Sequence, residues 1–176
     1  MEYAVLGWPP DGPTLRLDYR RFGYAGKFVM TNTGKAIARD SDGEQEPLAA
    51  VAFNEDRTDP NTLWLRYITT RRDRRGEGIG ARLAAFITNQ AHERGYDRVV
   101  IAVNNPFAYH ALFKAGFGFT GERTGIAELV LEHPSNTKRY HAGLDIFCER
   151  DLTEDERAFL DTKSKEGPPS VVPPEG

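Results

Sequence analysis

The segment Arg71-Arg72-Asp73-Arg74-Arg75-Gly76-Glu77-Gly78-Ile79-Gly80 brings four arginines up to three glycines in five positions. Glycine lets a backbone approach a ligand without a Cβ and turn into conformations other residues avoid. When such a turn opens a helix, its unpaired N–H groups and the helix's partial positive charge converge on one point. The chemistry is that of a pyrophosphate cradle, with the arginines able to add charge-assisted hydrogen bonds. A P-loop is excluded, because its second glycine is followed by lysine and a hydroxyl, whereas here Gly80 leads into Ala81-Arg82-Leu83. A dinucleotide fingerprint fits better, as Gly76-x-Gly78-x-x-Ala81. It also requires an acid at the end of the next strand, and there Asp97 begins the strand while Asn104-Asn105 ends it.

The elements that must position this turn are legible around it. Leu63 to Thr70 is rich in aromatic and β-branched residues and reads as the strand leading in. Ile79, Leu83, Phe86, Ile87 and Ala91 then fall on one face of a helix that Gly95 terminates. Val99 to Val103 reads as a strand buried on both faces, and Asn105-Pro106 as the cap and first residue of a helix closed by Gly116. Its core face is expected to hold Phe107, Ala108, Ala111, Leu112 and Ala115. This βαβα unit predicts a right-handed crossover between parallel strands. Upstream, Tyr3–Leu6 and Leu48–Phe53 read as strands, and Lys27–Met30 with Lys35–Ala38 as a hairpin. Downstream, 126–131 and 142–148 read as two more strands, and Thr153-x-x-Glu156 as a capping box opening a short helix.

Composition narrows the function. The 176 residues, 39% hydrophobic and 11% aromatic, suffice for one core, so residues 1–162 read as a single domain and the Pro/Gly-rich 163–176 as a disordered tail. Twenty-six acids against 23 bases give a net charge of −3, which disfavours nucleic acid as a partner. One cysteine and four histidines show no metal-ligand spacing. The absence of a ~20-residue apolar run argues against a membrane partner, and the chain is expected to be cytoplasmic.

Arg75-x-x-Gly78-x-Gly80 resembles the [QR]-x-x-G-x-[GA] motif of the GNAT superfamily of N-acetyltransferases, and Asn105-x-x-Ala108 with Lys114-Ala115-Gly116-Phe117 resembles its N-x-x-A … K-x-G-F segment. The likeness spans roughly Leu63 to Phe117. It implies an α/β (α+β) fold: a mixed, mostly antiparallel sheet with helices on both faces and a splayed pair of parallel central strands. It implies acetyl-CoA as acyl donor, no metal, and an amine-bearing acceptor whose primary amine attacks directly; a homodimer is compatible with it. By the same resemblance, the backbone of Ile68, Thr69 and Thr70 would hold the pantetheine arm. Arg75, Gly76, Glu77, Gly78, Ile79, Gly80 and Ala81 would hold the pyrophosphate, and Asn105, Ala108, Leu112 and Phe113 would line the opposite wall.

The family often places a proton-donating tyrosine seven residues after the asparagine, and here that position is Leu112. Either Tyr109 or His110 substitutes for it, or water does, or the chain is a CoA-binding module without turnover. Tyr109 and Phe113, four residues apart, also fit a packed aromatic pair. For a base, the sequence offers Glu55, Asp56, Asp59 and Tyr67. Cys148 reads as a structural residue of an apolar strand, and His133, Tyr140 and His141 as candidates to shape an acceptor pocket. The acidic stretch Asp40–Glu46 could attract a cationic amine.

Overall fold

The computed structural model describes residues 1–41, 46–135 and 139–172. It divides into two compact units, Met1–Val99 and Val100–Val172, with the boundary inside one strand.

The first unit is a meander of four antiparallel strands, β1 (Glu2–Gly7), β2 (Gly34–Arg39), β3 (Ala49–Glu55) and β4 (Thr62–Thr70), neighbours in that order. Side chains alternate across it. Helix α1 (Ile79–Glu93) covers one face with the stripe read from the sequence, and Phe86 stacks on Tyr3 at 5.5 Å. On the other face Phe28, Ile37, Ala50 and Ala52 form a core closed by Leu15, Leu17 and Tyr67. The β3–β4 register slips between Ala52↔Tyr67 and Phe53↔Leu65, so Arg66 is the extra residue of a bulge.

The expected hairpin at Lys27–Met30 is corrected. Ala25–Val29 is a 3-10 turn that drops Phe28 into the core, and β2 pairs instead with β1 and β3. The run is too short for its local pattern to separate a turn from a strand.

The second unit holds β5 (Arg98–Val103), α2 (Pro106–Lys114), β6 (Gly118–Arg123), β7 (Leu129–His133), α3 (Tyr140–Cys148) and α4 (Glu154–Lys163). Its strands run in the order β5-β7-β6, with β6 and β7 antiparallel. Asn105 caps α2 as expected, its Oδ1 accepting from the Ala108 N–H at 2.9 Å, and Pro106 is the first helical residue. The capping box of α4 is formed by Thr153 and Glu156.

Three expectations fail in this unit. Residues 142–148 are helix rather than strand, because Tyr140, Gly143, Leu144 and Phe147 are buried at helical spacing. β6 was not expected. The buried face of α2 is Tyr109, His110, Leu112 and Phe113, while Phe107 is 46% exposed. Leu112 and Ala115 are buried as expected, but with apolar residues on most sides of a nine-residue helix the pattern alone fixes its rotation poorly. The fold class is the one expected, a mixed α/β structure with mostly antiparallel strands.

Candidate functional site

In the first unit β4 ends at Thr70, and the chain turns through Arg71. This buried arginine is held by Asp73 at 2.6 Å and Glu46 at 3.6 Å, while its backbone N–H donates to the Leu48 carbonyl. The anchor fixes where the glycine turn begins. Gly76 (φ 86°) and Gly78 (φ 79°) are left-handed, so both positions require glycine. At Gly80 a Cβ would stand 3.0 Å from Thr70 Oγ1, so any other residue there would require that side chain to give way slightly.

Gly78 caps α1 without any side-chain bond, and the helix's first carbonyl contact runs from the Arg82 N–H to Gly78. The N–H groups of Ile79, Gly80 and Ala81 therefore lack helical partners and face outward as donors. The Glu77 carboxylate, wrong in sign for an anion site, is drawn aside by Arg74 at 2.9 Å, and Arg74 also reaches Asp40 at 3.7 Å. Arg75 is exposed and bonds weakly to the Thr70 carbonyl at 3.4 Å. The arrangement offers open main-chain donors beside a free guanidinium. Ile68, Thr69 and Thr70 are paired with Val51, Ala50 and Ala49 of β3, and Thr69 is buried.

In the second unit Asn105 and Ala108 stay partly exposed at the head of α2, whereas Leu112 and Phe113 are buried. Tyr109 is fully buried. Its ring lies 4.8 Å from Phe113, 5.9 Å from Tyr140 and 5.6 Å from Phe147, and its hydroxyl donates to the carbonyls of Arg139 (3.0 Å) and Tyr140 (2.8 Å). Burial pushes its pKa far above the ordinary range.

His110 is 9% exposed and packs edge-on against Phe159 of α4. Burial, with Lys114 and Lys163 nearby, lowers its pKa to about 4. The Tyr140 hydroxyl, raised to about 12 by burial, is protonated at neutral pH. It lies 2.8 Å from His110 Nδ1, in a hydrogen bond whose direction follows the imidazole tautomer.

The acids considered as bases are committed to turns. Asp56 accepts from Trp64 Nε1 (2.7 Å), from the N–H and hydroxyl of Thr58 and from the Asp59 N–H, bonds that lower its pKa to about 2. Asp59 caps Asn61 and Thr62, and Glu55 accepts from the Tyr96 hydroxyl at 2.9 Å. Tyr67 is half-buried under Lys27. Of the acceptor-pocket candidates, Tyr140 is core, His141 Nε2 lies 2.6 Å from the Glu166 carbonyl, and His133 packs on Phe117. Residues 42–45 of the acidic stretch lie outside the described residues, and its ends, Asp40 and Glu46, pair with arginines. Cys148 is an exposed helical residue whose thiol is raised by burial of its surroundings. Among the described residues no cluster of histidine, cysteine and carboxylates could hold a metal, and no helix is long and apolar enough to cross a membrane.

The model of the Acetyltransferase (GNAT) family matches residues 3–119, which takes in the glycine turn and the capped head of α2. The chain belongs to the GNAT acetyltransferase family. It is thereby an acyltransferase, and acetyl-CoA is the acyl donor general to that family. No curated protein sequence matches this GNAT chain. Similar solved structures include a nourseothricin acetyltransferase (23% identity, TM-score 0.48, 59% of this chain and 68% of that one). Others are a Bacillus subtilis acetyltransferase in complex with CoA (18%, 0.47, 57% and 75%) and a GCN5-related N-acetyltransferase from Kribbella flavida (21%, 0.49, 58% and 68%).

Proposed function

We propose that this GNAT enzyme transfers an acetyl group from acetyl-CoA to a primary amine by direct attack, with residues 1–162 acting as one catalytic domain. The observation that carries the reading is the uncapped, glycine-lined start of α1, where the Ile79, Gly80 and Ala81 amides face outward. In this reading the amides from Gly76 to Ala81 and the Arg75 guanidinium hold the pyrophosphate, with Glu77 turned away on Arg74. The backbone of Ile68, Thr69 and Thr70 pairs with pantetheine as an added strand would. In this reading Asn105 and Ala108 also contact CoA, with Leu112 and Phe113 as their buried support.

The reaction forms a C–N bond, breaks the thioester C–S bond, and moves one proton from nitrogen to sulfur. Placement of the amine supplies much of the rate. Tyr109 and His110, the acid candidates offered by the sequence, are better suited to structural work. The Tyr109 proton is held on two carbonyls, and His110, its pKa lowered to about 4 by burial, carries no acidic imidazolium proton at neutral pH and is hydrogen-bonded to Tyr140. Water is left to carry the proton.

Acetyl-CoA is expected to raise the melting temperature, by an amount corresponding to about 2.7 kcal/mol at one hundred times its Kd. Arg75→Glu, which sets a carboxylate on the exposed rim of the cradle, shrinks that shift while the protein stays folded. An unchanged melting temperature of the wild type at millimolar acetyl-CoA refutes the reading.

A further inference from the structure

On the face of the first unit opposite α1 lies a cavity of about 620 Å³, walled by Lys27, Asn54, Trp64, Arg66 and Tyr67, with Asp56 at its rim. We propose that this cavity receives an anionic group, a carboxylate or a phosphate monoester, carried by the amine that this enzyme acetylates. Its standing as an acceptor pocket rests on the acyl-transfer reading above.

The argument is one of charge left over. Three cations, Lys27, Arg57 and Arg66, line the cavity against two carboxylates, Glu55 and Asp56, so one positive charge is in excess, and both carboxylates already have hydrogen-bond donors. Glu55 belongs to the α1 face, where Tyr96 donates to it, and Asp56 already accepts four hydrogen bonds, one from Trp64. The hydrogen-bond and ring contacts of Lys27 and Arg66 are to neutral partners, although the Asp56 charge also acts on Arg66. Arg66 donates to the Asn54 side-chain carbonyl at 2.6 Å and lies over the Trp64 ring at 4.8 Å, and Lys27 sits 5.7 Å from the centre of the Tyr67 ring. Neither forms an ion pair with a described carboxylate. Cation–π contact orients such groups without cancelling their charge, so both remain available to an incoming anion.

A further cation stiffens the wall. Lys35 is fully buried, and its ammonium donates to the Met30 and Thr33 carbonyls at 2.7 and 2.8 Å, pinning the loop that closes the cavity. Its charge too has no carboxylate partner in these contacts. Arg66 is the extra residue of the β3–β4 bulge, a device that re-aims one side chain of an otherwise regular strand.

The cavity also continues in the right direction. Lys27 and Met30 are shared with a second hollow of about 510 Å³ lined by Tyr19, Phe22 and Tyr24. That hollow runs to Gly23, where a Cβ would stand 3.8 Å from Thr69 Oγ1 and 3.7 Å from Arg75 Nη2. An acceptor with its anion on Lys27 and Arg66 and its body along the tyrosines would therefore extend toward the strand end assigned to the acyl carrier.

Titration calorimetry on the full chain with four probes tests the charge preference: 3-phenylpropanoate, phenyl phosphate, 3-phenylpropanamide and phenethylamine. The two anions are expected to bind at least tenfold tighter than the amide, and whichever is tighter identifies the group. Arg66→Gln and Lys27→Gln should each weaken the anions at least fivefold, Arg66→Lys less, with the acetyl-CoA melting shift retained in all three. In turnover, tyrosine should exceed tyramine, or phosphoethanolamine exceed ethanolamine, at least tenfold in kcat/KM, with Arg66→Gln raising KM at nearly constant kcat. Equal binding of the amide, tightest binding of phenethylamine, or anion affinities unmoved by both substitutions overturns the proposal. Loss of the acetyl-CoA shift in the wild type with anion binding intact would instead strike the acyl-transfer reading on which the acceptor role depends.

Discussion

The glycine turn before α1 and the aromatic cluster around Tyr109 both attract attention as places where chemistry could happen, yet their polar groups are in opposite states. In the turn, donors are presented and unmet: three helix-start amides and an exposed Arg75. In the cluster, the Tyr109 and Tyr140 hydroxyls and one His110 nitrogen are already bonded. Tyr109 bonds to two carbonyls and His110 to Tyr140. A ligand can gain only from groups that still need a partner, so the first region is built to bind and the second to hold. Substitutions in the cluster should therefore change stability and spare turnover, and loss of the exposed Arg75 side chain from the turn should do the reverse.

The largest expected effect is at Gly143. A Cβ there would fall only 2.2 Å from the Tyr109 hydroxyl and 2.3 Å from its ring, with the buried ring unable to retreat. Gly143→Ala should cost about 3 kcal/mol in denaturant unfolding, at the upper end for overpacking. The smaller Tyr109→Leu in the same chain should recover part of it, and no change in midpoint would mean the cluster is looser than its contacts imply.

His110 gives the next test, through pH. Its folded pKa of about 4 lies below the ordinary 6.5, so the unfolded chain takes up the proton first as pH falls. Its contribution to stability is complete above about pH 6.5 and is lost on descent toward pH 4. With allowance for water at its rim, that loss is about 2 kcal/mol, or some 4–8 °C in melting temperature. His110→Gln should flatten that part of the profile. An unchanged slope would reassign the acid sensitivity to other groups.

These contrasts also mark what was readable in the sequence. The turn, α1 and the capped start of α2 were legible because each depends on local rules: glycine where φ is positive, a cap before proline, an apolar stripe at helical period. The state of Tyr109 was not, because its partners Arg139 and Tyr140 lie 30 and 31 residues away and belong to a helix taken for a strand. The spacing of Tyr140, Gly143, Leu144 and Phe147 was a usable signal that the β-rich composition of the stretch obscured. The Lys27–Arg66 cavity went unnoticed for a similar reason. Two of its three cations, Lys27 and Arg66, come from a 3-10 turn and a strand bulge, and neither placement follows from residue type.

Tyr109→Phe sharpens the comparison further. It deletes the hydroxyl that bonds the buried Tyr140 carbonyl and the part-buried Arg139 carbonyl and keeps every ring contact, so about 1–2 kcal/mol of stability should go. If the hydroxyl delivers the proton to the leaving thiolate, kcat should instead fall by roughly 100-fold or more. A kcat within twofold of wild type is the outcome expected from its bonding, and a large fall would move the tyrosine from scaffold to chemistry.

Arg75→Ala asks the mirror question of the turn and should give the smallest effect. The side chain is exposed, its one contact is a 3.4 Å bond to the Thr70 carbonyl, and no carboxylate pairs with it among the described residues. Removing it should leave the melting temperature of the free protein within about 1 °C, since surface substitutions of this kind rarely exceed about 0.5 kcal/mol. The same change removes one charge-assisted contact to phosphate, and Kd for acetyl-CoA should rise about fivefold to tenfold, roughly 1 to 1.4 kcal/mol. Because the main-chain amides remain, binding should weaken without vanishing. A residue that costs nothing in the free protein and something with ligand is what an unmet donor predicts, whereas lost stability without lost affinity would place Arg75 with the satisfied groups.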